Sequence, residues 1–344
     1  MPMPDSPPTR VLIPLHMAQP PSAPPGAVSH RLGGPTMGTS WSVLAIAPAT
    51  LPPTAIEAAV QARLDGVIRE MSTWQADSDL SRYNDAPAGS WHACAPGFMA
   101  VLDAALTMAA DSDGAFDPSV GPLVNLWGFG PHGGRAGEMP PQQALDQARS
   151  RCGWQRIEVD RAARRVRQPG GAYLDFSGIA KGYAVDQVAQ ALRELGCVSW
   201  LAEVGGELSG YGAKPDGQPW WVALERPPGD DGAHATLVAL HGLAIATSGD
   251  YRRYFERDGR RYAHTIDPRS GRPVRHDLAQ VTVLHPQCMV ADALATVLTV
   301  LGEQEGMAFA RERNIAALFV RGALQAGRRR FVESMTPAFA AMLD

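Results

Sequence analysis

Between Trp200 and Thr247 the chain breaks into short apolar runs, WLAEVGGEL, WWVALE and ATLVALHGLAIAT, each interrupted or bounded by glycine. Runs of this length suit strands, and closely spaced glycine turns let consecutive strands pair with one another. An antiparallel meander is therefore expected at the centre of the fold. Helical periodicity falls in other stretches, so strands and helices are segregated. The fold class is α+β, mostly antiparallel sheets packed with helices, and not a strictly alternating doubly wound sheet.

Upstream, MGTSWSVLAIA alternates Trp41, Val43, Ala45 and Ala47 with Ser42, Leu44 and Ile46, which predicts a strand buried on at least one face. Ordered structure is expected over residues 31–344 as one domain. Residues 1–30, rich in Pro, Ala and Ser, read as a flexible leader with no apolar run long enough for a signal sequence or a membrane span. On that reading the chain stays cytoplasmic as written, and a misassigned start would leave a periplasmic location open.

Helices are predicted over 54–71, with Thr54 as the cap, and over 97–111, 141–151 and 289–301. LDFSGIAKGYAVDQVAQALRELG reads as a strand end, a glycine turn and a helix stopped by Gly196. DSDLSRYNDAPAGS reads as polar loop. DGAFDPSVGPLVNLWGFGPHGG is too dense in Gly and Pro for regular structure, yet its Phe116, Leu123, Trp127 and Phe129 predict a packed loop that lines something. Short strands are expected over 156–159 and 164–167, and a helix–strand–strand tail at the end.

Charge and cysteine content remove several function classes. Lys+Arg 31 against Asp+Glu 35 leaves a net charge of -4, which gives no reason to expect a nucleic-acid partner. The one basic cluster, Arg328-Arg329-Arg330, reads as a solvated turn. Cys94, Cys152, Cys197 and Cys288 form no CxxC pair, so free, mostly buried thiols are expected instead of a thiolate zinc site.

Four constellations could carry chemistry. In ADALATVLTVLG, Asp292 and Thr296 stand four apart on one predicted helix, so a carboxylate and a hydroxyl share a face. Two hard oxygens of this kind suit Mg²⁺, which keeps water and substrate phosphate as its other ligands. The bland alternative has Asp292 capping the helix and Thr296 packed inside. In LDFSGIAKGYAVD, Gly178 and Gly182 allow a close turn into a helix whose start carries Lys181, a generic anion site without P-loop spacing. His264, beside the Asp267-Pro268 turn, is either a general base or a structural histidine. Trp74, Phe116 and Asp117, on loops, suit a planar ring and its polar edge, or ordinary packing.

The order of these segments carries a resemblance. MGTSWSV, MSTWQADSDLSRYN, GAFDPSVGPLVNLWGFG, LDFSGIAKGYAVD, AEVGGELSGYG, ATSGDYRRYF, HTIDPRSGRPV and ADALATVLTVLG together resemble the FAD:protein FMN transferases, the ApbE family. The resemblance implies a T-fold-like α+β architecture, FAD as substrate, and Mg²⁺. It implies transfer of FMN through a phosphoester bond to a Ser or Thr of an acceptor redox protein, with AMP released. It also implies that Met37, Trp74, Ala115, Phe116, Asp117, Asp175, Lys181 and Ile266 hold FAD, and that Gly178, Asp292 and Thr296 hold the metal through one backbone carbonyl and two side chains. The Trp74 position is commonly tyrosine in the family. His264, the only histidine inside a matched motif, is the expected base. FAD pyrophosphatase activity, releasing free FMN, and a non-catalytic flavin-binding role are the competing readings.

Overall fold

The computed structural model describes residues 9–15, 19–21, 25–133, 137–230, 235–249, 254–258, 260–325 and 328–344. In chain order the elements begin with β1 (Thr9–Leu12), β2 (Val28–Thr36), β3 (Thr39–Ala47), α1 (Pro53–Met71), α2 (Asp79–Asn84), β4 (Trp91–Ala93), α3 (Pro96–Asp111), α4 (Gly121–Leu126) and α5 (Gln142–Arg149). Next come β5 (Glu158–Asp160), β6 (Arg165–Arg167), α6 (Ala180–Glu194), β7 (Ser199–Val204), β8 (Glu207–Tyr211), β9 (Trp220–Ala223), β10 (Ala235–Leu240) and β11 (Leu243–Gly249). The chain closes with β12 (Tyr254–Arg257), β13 (Arg260–Ala263), β14 (Ile266–Asp267), β15 (Arg272–Pro273), β16 (Leu278–His285), α7 (Cys288–Glu312), β17 (Ala316–Gln325), β18 (Arg328–Met335) and α8 (Pro337–Ala340).

Eight strands form the main sheet in the order β18-β17-β16-β11-β8-β7-β3-β2, and every neighbouring pair is antiparallel. The two-residue period of a strand sends alternate side chains to opposite faces. Trp41, Val43 and Ala45 of β3 join Ile56, Val60 and Leu64 of α1 and Val185, Val188 and Leu192 of α6 in one core. Ile46, Ile245 and Leu318 point the other way, toward Trp220, Val238 and Leu240 of a second, three-stranded sheet, ordered β1-β10-β9. α6 and α7 pack side by side on the first face.

Packing, not capping, holds α1. Pro52 stands at its N-cap without a side-chain bond, so the predicted Thr54 cap is not used. A missing cap costs about 0.5–2 kcal/mol, whereas each fully buried aliphatic side chain contributes about 1.5–3 kcal/mol. Five such positions, Ile56, Val60, Leu64, Val67 and Met71, are buried along this helix.

Several expectations are corrected. The stretch read as polar loop contains α2, capped by the Ser78 hydroxyl. The Gly- and Pro-rich stretch contains α4, with Pro122 in the first turn where its missing N–H costs nothing. Its Leu123 and Trp127 are buried as expected, and Asn125 and Leu126 line a cleft of about 580 Å³ with Tyr173 and Arg151. The meander holds for β7, β8 and β11, but β9 and β10 leave it for the second sheet.

The flexible-leader reading fails for Thr9–Leu12, which pairs in parallel with β10 and buries Leu12. Residues 1–8, 16–18 and 22–24 of that leader, residues 134–136 of the glycine-rich loop and Asp250 to Arg253 of the tyrosine-rich segment lie outside the described residues. The arginine cluster opens β18 rather than a turn, with Arg330 exposed.

The helix predicted over 289–301 continues to Glu312 after a break at Gly302, whose φ of 76° interrupts the helical backbone. Gly196, at φ 79°, follows α6 as expected. The four cysteines are free, and burial pushes the thiols of Cys94 and Cys152 up to about 12. Among the described residues no helix is long and apolar enough to cross a membrane.

Candidate active site

The site is built where the first turns of α6 and α7 meet. The two helices approach so closely that a Cβ at Gly182 would stand 2.3 Å from the Cys288 carbonyl oxygen and 2.8 Å from the Asp292 Cβ. Glycine is the residue that permits this contact. Its amide donates to Asp292 Oδ2 at 2.9 Å.

α7 has no side-chain cap of its own. Asp186 of α6 supplies one from the neighbouring helix, its two oxygens accepting the amides of Cys288 and Met289, each at 2.9 Å. The alternative in which Asp292 caps its own helix therefore fails. Asp292 sits one turn further in, only 6 % exposed, free to present an oxygen to something else.

Thr296 follows on the same helical face. Its hydroxyl lies 3.5 Å from the carbonyl oxygen of Gly178, in the turn that leads into α6. A Cβ at Gly178 would also come within 3.4 Å of the Phe116 ring. Asp292, Thr296, Gly178 and Phe116, 180 residues apart in sequence at the extremes, thus converge at one place in the fold.

Burial dominates the electrostatics here. It raises the Asp292 carboxyl above the ordinary range, against the pull of the Lys181 charge and the Gly182 amide. Lys181 pairs with Glu207 of β8, and burial pushes Glu207 up to about 7, opposed by Lys181 and reinforced by Asp292. Glu207 is 1 % exposed, and its Oε2 has no hydrogen-bond partner. One partly exposed ammonium thus faces two buried carboxylates, an arrangement short of positive charge.

That shortage tests the metal reading on the chain's own chemistry. Asp292, the Thr296 hydroxyl and the Gly178 carbonyl are hard oxygen donors, and together they fit Mg²⁺, which takes few protein ligands. Among the described residues no three His, Cys, Asp or Glu side chains converge as a softer or denser site would need.

The remaining predicted residues lie on turns and loops and, for Ile266, in β14. Met37 holds φ 49° in the tight turn between β2 and β3. Trp74 is 65 % exposed, on a turn fixed by the Ser72 hydroxyl, which accepts the amides of Trp74 and Gln75 at 3.1 and 3.2 Å. An ordered turn carrying an exposed indole is a ready stacking platform.

Ala115, Phe116 and Asp117 are buried. Asp117 accepts the Ser119 amide and hydroxyl at 2.8 and 2.6 Å and the Trp154 amide at 3.2 Å, so both its oxygens already serve the loop. Burial raises its carboxyl, with these bonds opposing. The Asp175 amide donates to the Pro118 carbonyl at 2.8 Å, and its carboxylate accepts the Ser177 amide at 2.7 Å. The loop at 115–119 and the turn at 175–178 are thereby one unit.

His264 and Ile266 belong to a different cluster. Ile266 is buried with Leu123, Trp127, Phe129 and Phe255, and the His264 ring stands edge-on to Phe129, centroids 6.3 Å apart. The loop that carries Phe116 at one end carries Trp127 and Phe129 at the other, and so spans the two groups. Glu207 and Asp186 are the members of the site missed by the sequence reading. An acidic residue opening an otherwise apolar strand after Gly205-Gly206 is the available signal for the first.

The sequence profile of the ApbE family matches residues 37–319. The chain belongs to the ApbE family.

It is 39% identical over 291 residues to an FAD:protein FMN transferase of Vibrio cholerae, covering 84% of this chain and 86% of that one. The Klebsiella pneumoniae protein of the same name is 37% identical over 301 residues, covering 87% and 86%. Among solved structures, the apo form of the Pseudomonas stutzeri flavinyl transferase ApbE superposes with a TM-score of 0.84 at 41% identity, covering 92% of this chain and 97% of that one. The α+β architecture of mostly antiparallel sheets is that of the ApbE family.

Proposed function

We propose that this ApbE-family chain is a Mg²⁺-dependent FAD:protein FMN transferase, which splits the FAD diphosphate and joins FMN to a Ser or Thr of an acceptor redox protein. The observation that carries this reading is the convergence of Asp292, Thr296 and the Gly178 carbonyl at the entry to α6, next to Lys181.

The hydroxyl oxygen of the acceptor attacks the phosphorus on the FMN side of the diphosphate. A phosphoester bond forms, the phosphoanhydride bond breaks, and AMP leaves with its phosphate. His264 takes the hydroxyl proton and passes it to solvent, in the role of a general base. When bound, Mg²⁺ supplies a Lewis acid that offsets charge on the phosphate oxygens.

The other residues position the reactants. Asp292, Thr296 and the Gly178 carbonyl hold the metal, and Lys181, fixed by Glu207, faces the diphosphate. Trp74 stacks on the isoalloxazine, while Met37, Ala115, Phe116, Asp117, Asp175 and Ile266 shape the rest of the FAD site. In phosphoryl transfer, alignment and charge stabilisation supply nearly all of the catalysis.

The test is incubation with FAD, Mg²⁺ and a respiratory-complex subunit as acceptor. Yellow fluorescence that stays on the acceptor through a denaturing gel, with one AMP per flavin attached, is the expected result. Free FMN without labelled protein would replace this reading with a pyrophosphatase.

A further inference from the structure

A cleft of about 400 Å³ opens on the face of the main sheet opposite α6 and α7. Leu44, Leu201, Leu208 and Ile245 form its apolar floor. Its wall is the end of β9 and the two residues that continue its extended run. Val222, Ala223, Leu224 and Glu225 all border the same space. Side chains alternate along a strand, so four consecutive residues border one cleft only where the strand presents its backbone edge.

Among the described residues β9 has β10 as its one strand partner, and beyond the isolated bridge of Pro219 to Ala213 no strand pairs with its other edge. The Leu224 amide donates to the Thr236 carbonyl at 2.9 Å. By the alternation of an antiparallel ladder, Leu224, Val222 and Trp220 then turn their N–H and C=O groups toward β10, and Ala223 and Trp221 turn theirs outward. The next outward carbonyl, that of Glu225, accepts from the Gln280 side chain at 2.8 Å. The segment WWVA carries none of the charges, prolines or bulges that normally blunt an exposed edge.

One end of the cleft is the turn between β7 and β8, where Glu203 and Gly206 line it. Glu203 is occupied, accepting the Ser42 hydroxyl and the Gly206 amide, each at 3.0 Å. On the other side of the same turn, a Cβ at Gly205 would stand 3.5 Å from Cδ of Lys181. The cleft therefore runs along a free strand edge and ends on the turn that backs onto the proposed reaction centre.

We propose that this cleft receives the acceptor protein as an extended segment that adds to the free edge of β9. The segment lays alternate apolar side chains on Leu44, Leu201 and Leu208 and delivers its Ser or Thr hydroxyl over the Gly205-Gly206 turn to the Lys181 side. This rests on the transferase reading above and names the surface by which the acceptor is held. Addition of a strand takes affinity from main-chain bonds and selectivity from alternate side-chain pockets. β9 offers four residues, roughly 13 Å of edge at about 3.3 Å per residue, enough to fix direction and register.

The test compares wild type with Ala223→Pro, which removes one outward N–H, and with Leu208→Asp, which charges the floor. The probe is a respiratory-complex subunit that the wild-type enzyme flavinylates. Both variants should raise KM for that acceptor at least tenfold, with the FAD dissociation constant from flavin fluorescence unchanged. Amide exchange at Trp221 and Ala223 should slow when the acceptor is added to wild type.

A folded Ala223→Pro enzyme, judged by its melting curve, with wild-type KM for the acceptor would overturn the proposal. If that variant does not fold, unslowed exchange at the two amides in wild type overturns it equally. Slowing that occurs without acceptor, together with a dimer in solution, would assign the edge to a second copy of this chain. A wild-type enzyme that labels no acceptor refutes the transferase reading itself, and the docking proposal falls with it.

Discussion

The amide of Gly182 in α6 donates to the carboxylate of Asp292 in α7 at 2.9 Å, across a contact with no room for a methyl group. This bond and the two that Asp186 accepts from the amides of Cys288 and Met289 join the helices that carry the proposed metal and phosphate groups, and the geometry of the first depends on a residue without a side chain.

Gly182→Ala should therefore injure stability and site together. The new methyl meets backbone at Cys288, which cannot rotate away, and overpacking of this kind costs about 1–3 kcal/mol. A melting curve reports the stability change. Mg²⁺ titration of the surviving folded protein should show weaker binding, because α7 must shift to admit the methyl.

Asp292→Asn keeps the size of the side chain and removes its charge. Wild-type protein held at one hundred times its Mg²⁺ dissociation constant should gain about 2.7 kcal/mol of stability, and the variant should gain almost none. Thermal unfolding with and without Mg²⁺ measures both. An undiminished gain in the variant would remove Asp292 from the metal site.

For His264→Ala, FMN transfer should fall by about 10²–10⁴, the usual contribution of a general base. FAD affinity should change little, since the proposed base acts on the acceptor hydroxyl and its ring stands edge-on to Phe129. Transfer at the wild-type rate would assign His264 to packing alone.

Glu207 predicts a pH dependence. Burial lifts its carboxyl from 4.5 to about 7 in the folded protein, so the folded chain holds a proton that the unfolded chain releases more readily. This contribution to stability is complete below pH 4.5 and is lost as the pH rises through about 7. Denaturant unfolding of the metal-free protein should show that decline. Glu207→Gln should flatten it, and an unchanged slope would place the titration elsewhere.

What could be read from the sequence, and what could not, follows from the range of the interactions. Asp292 and Thr296 were legible because a four-residue spacing on a helix is local, and Lys181 because helix entry is local too. Asp186 was not. It caps a helix that starts 102 residues later in the chain, and no window of sequence contains both ends. Glu207 was hidden for the same reason, since its burial depends on β8 lying beneath α6. β9 and β10 look like their neighbours in the meander, and only the packing of Trp220 and Leu240 against Ile46 and Ile245 separates them into a second sheet. α4 escaped because Gly121 and Pro122 resemble loop residues until Pro122 is seen in a first turn.

The clamp made by Asp186 on Cys288 and Met289 has a further consequence for how the enzyme fails. The helix that brings Lys181 is the one that starts the helix bringing Asp292 and Thr296, so neither can drift while the other stays in place. Heating that separates them dismantles the reaction centre in the same event that opens the core beneath it. Any stabilisation by Mg²⁺ should therefore be lost together with the near-ultraviolet dichroism of the buried aromatic side chains, Trp41 and Trp200 among them.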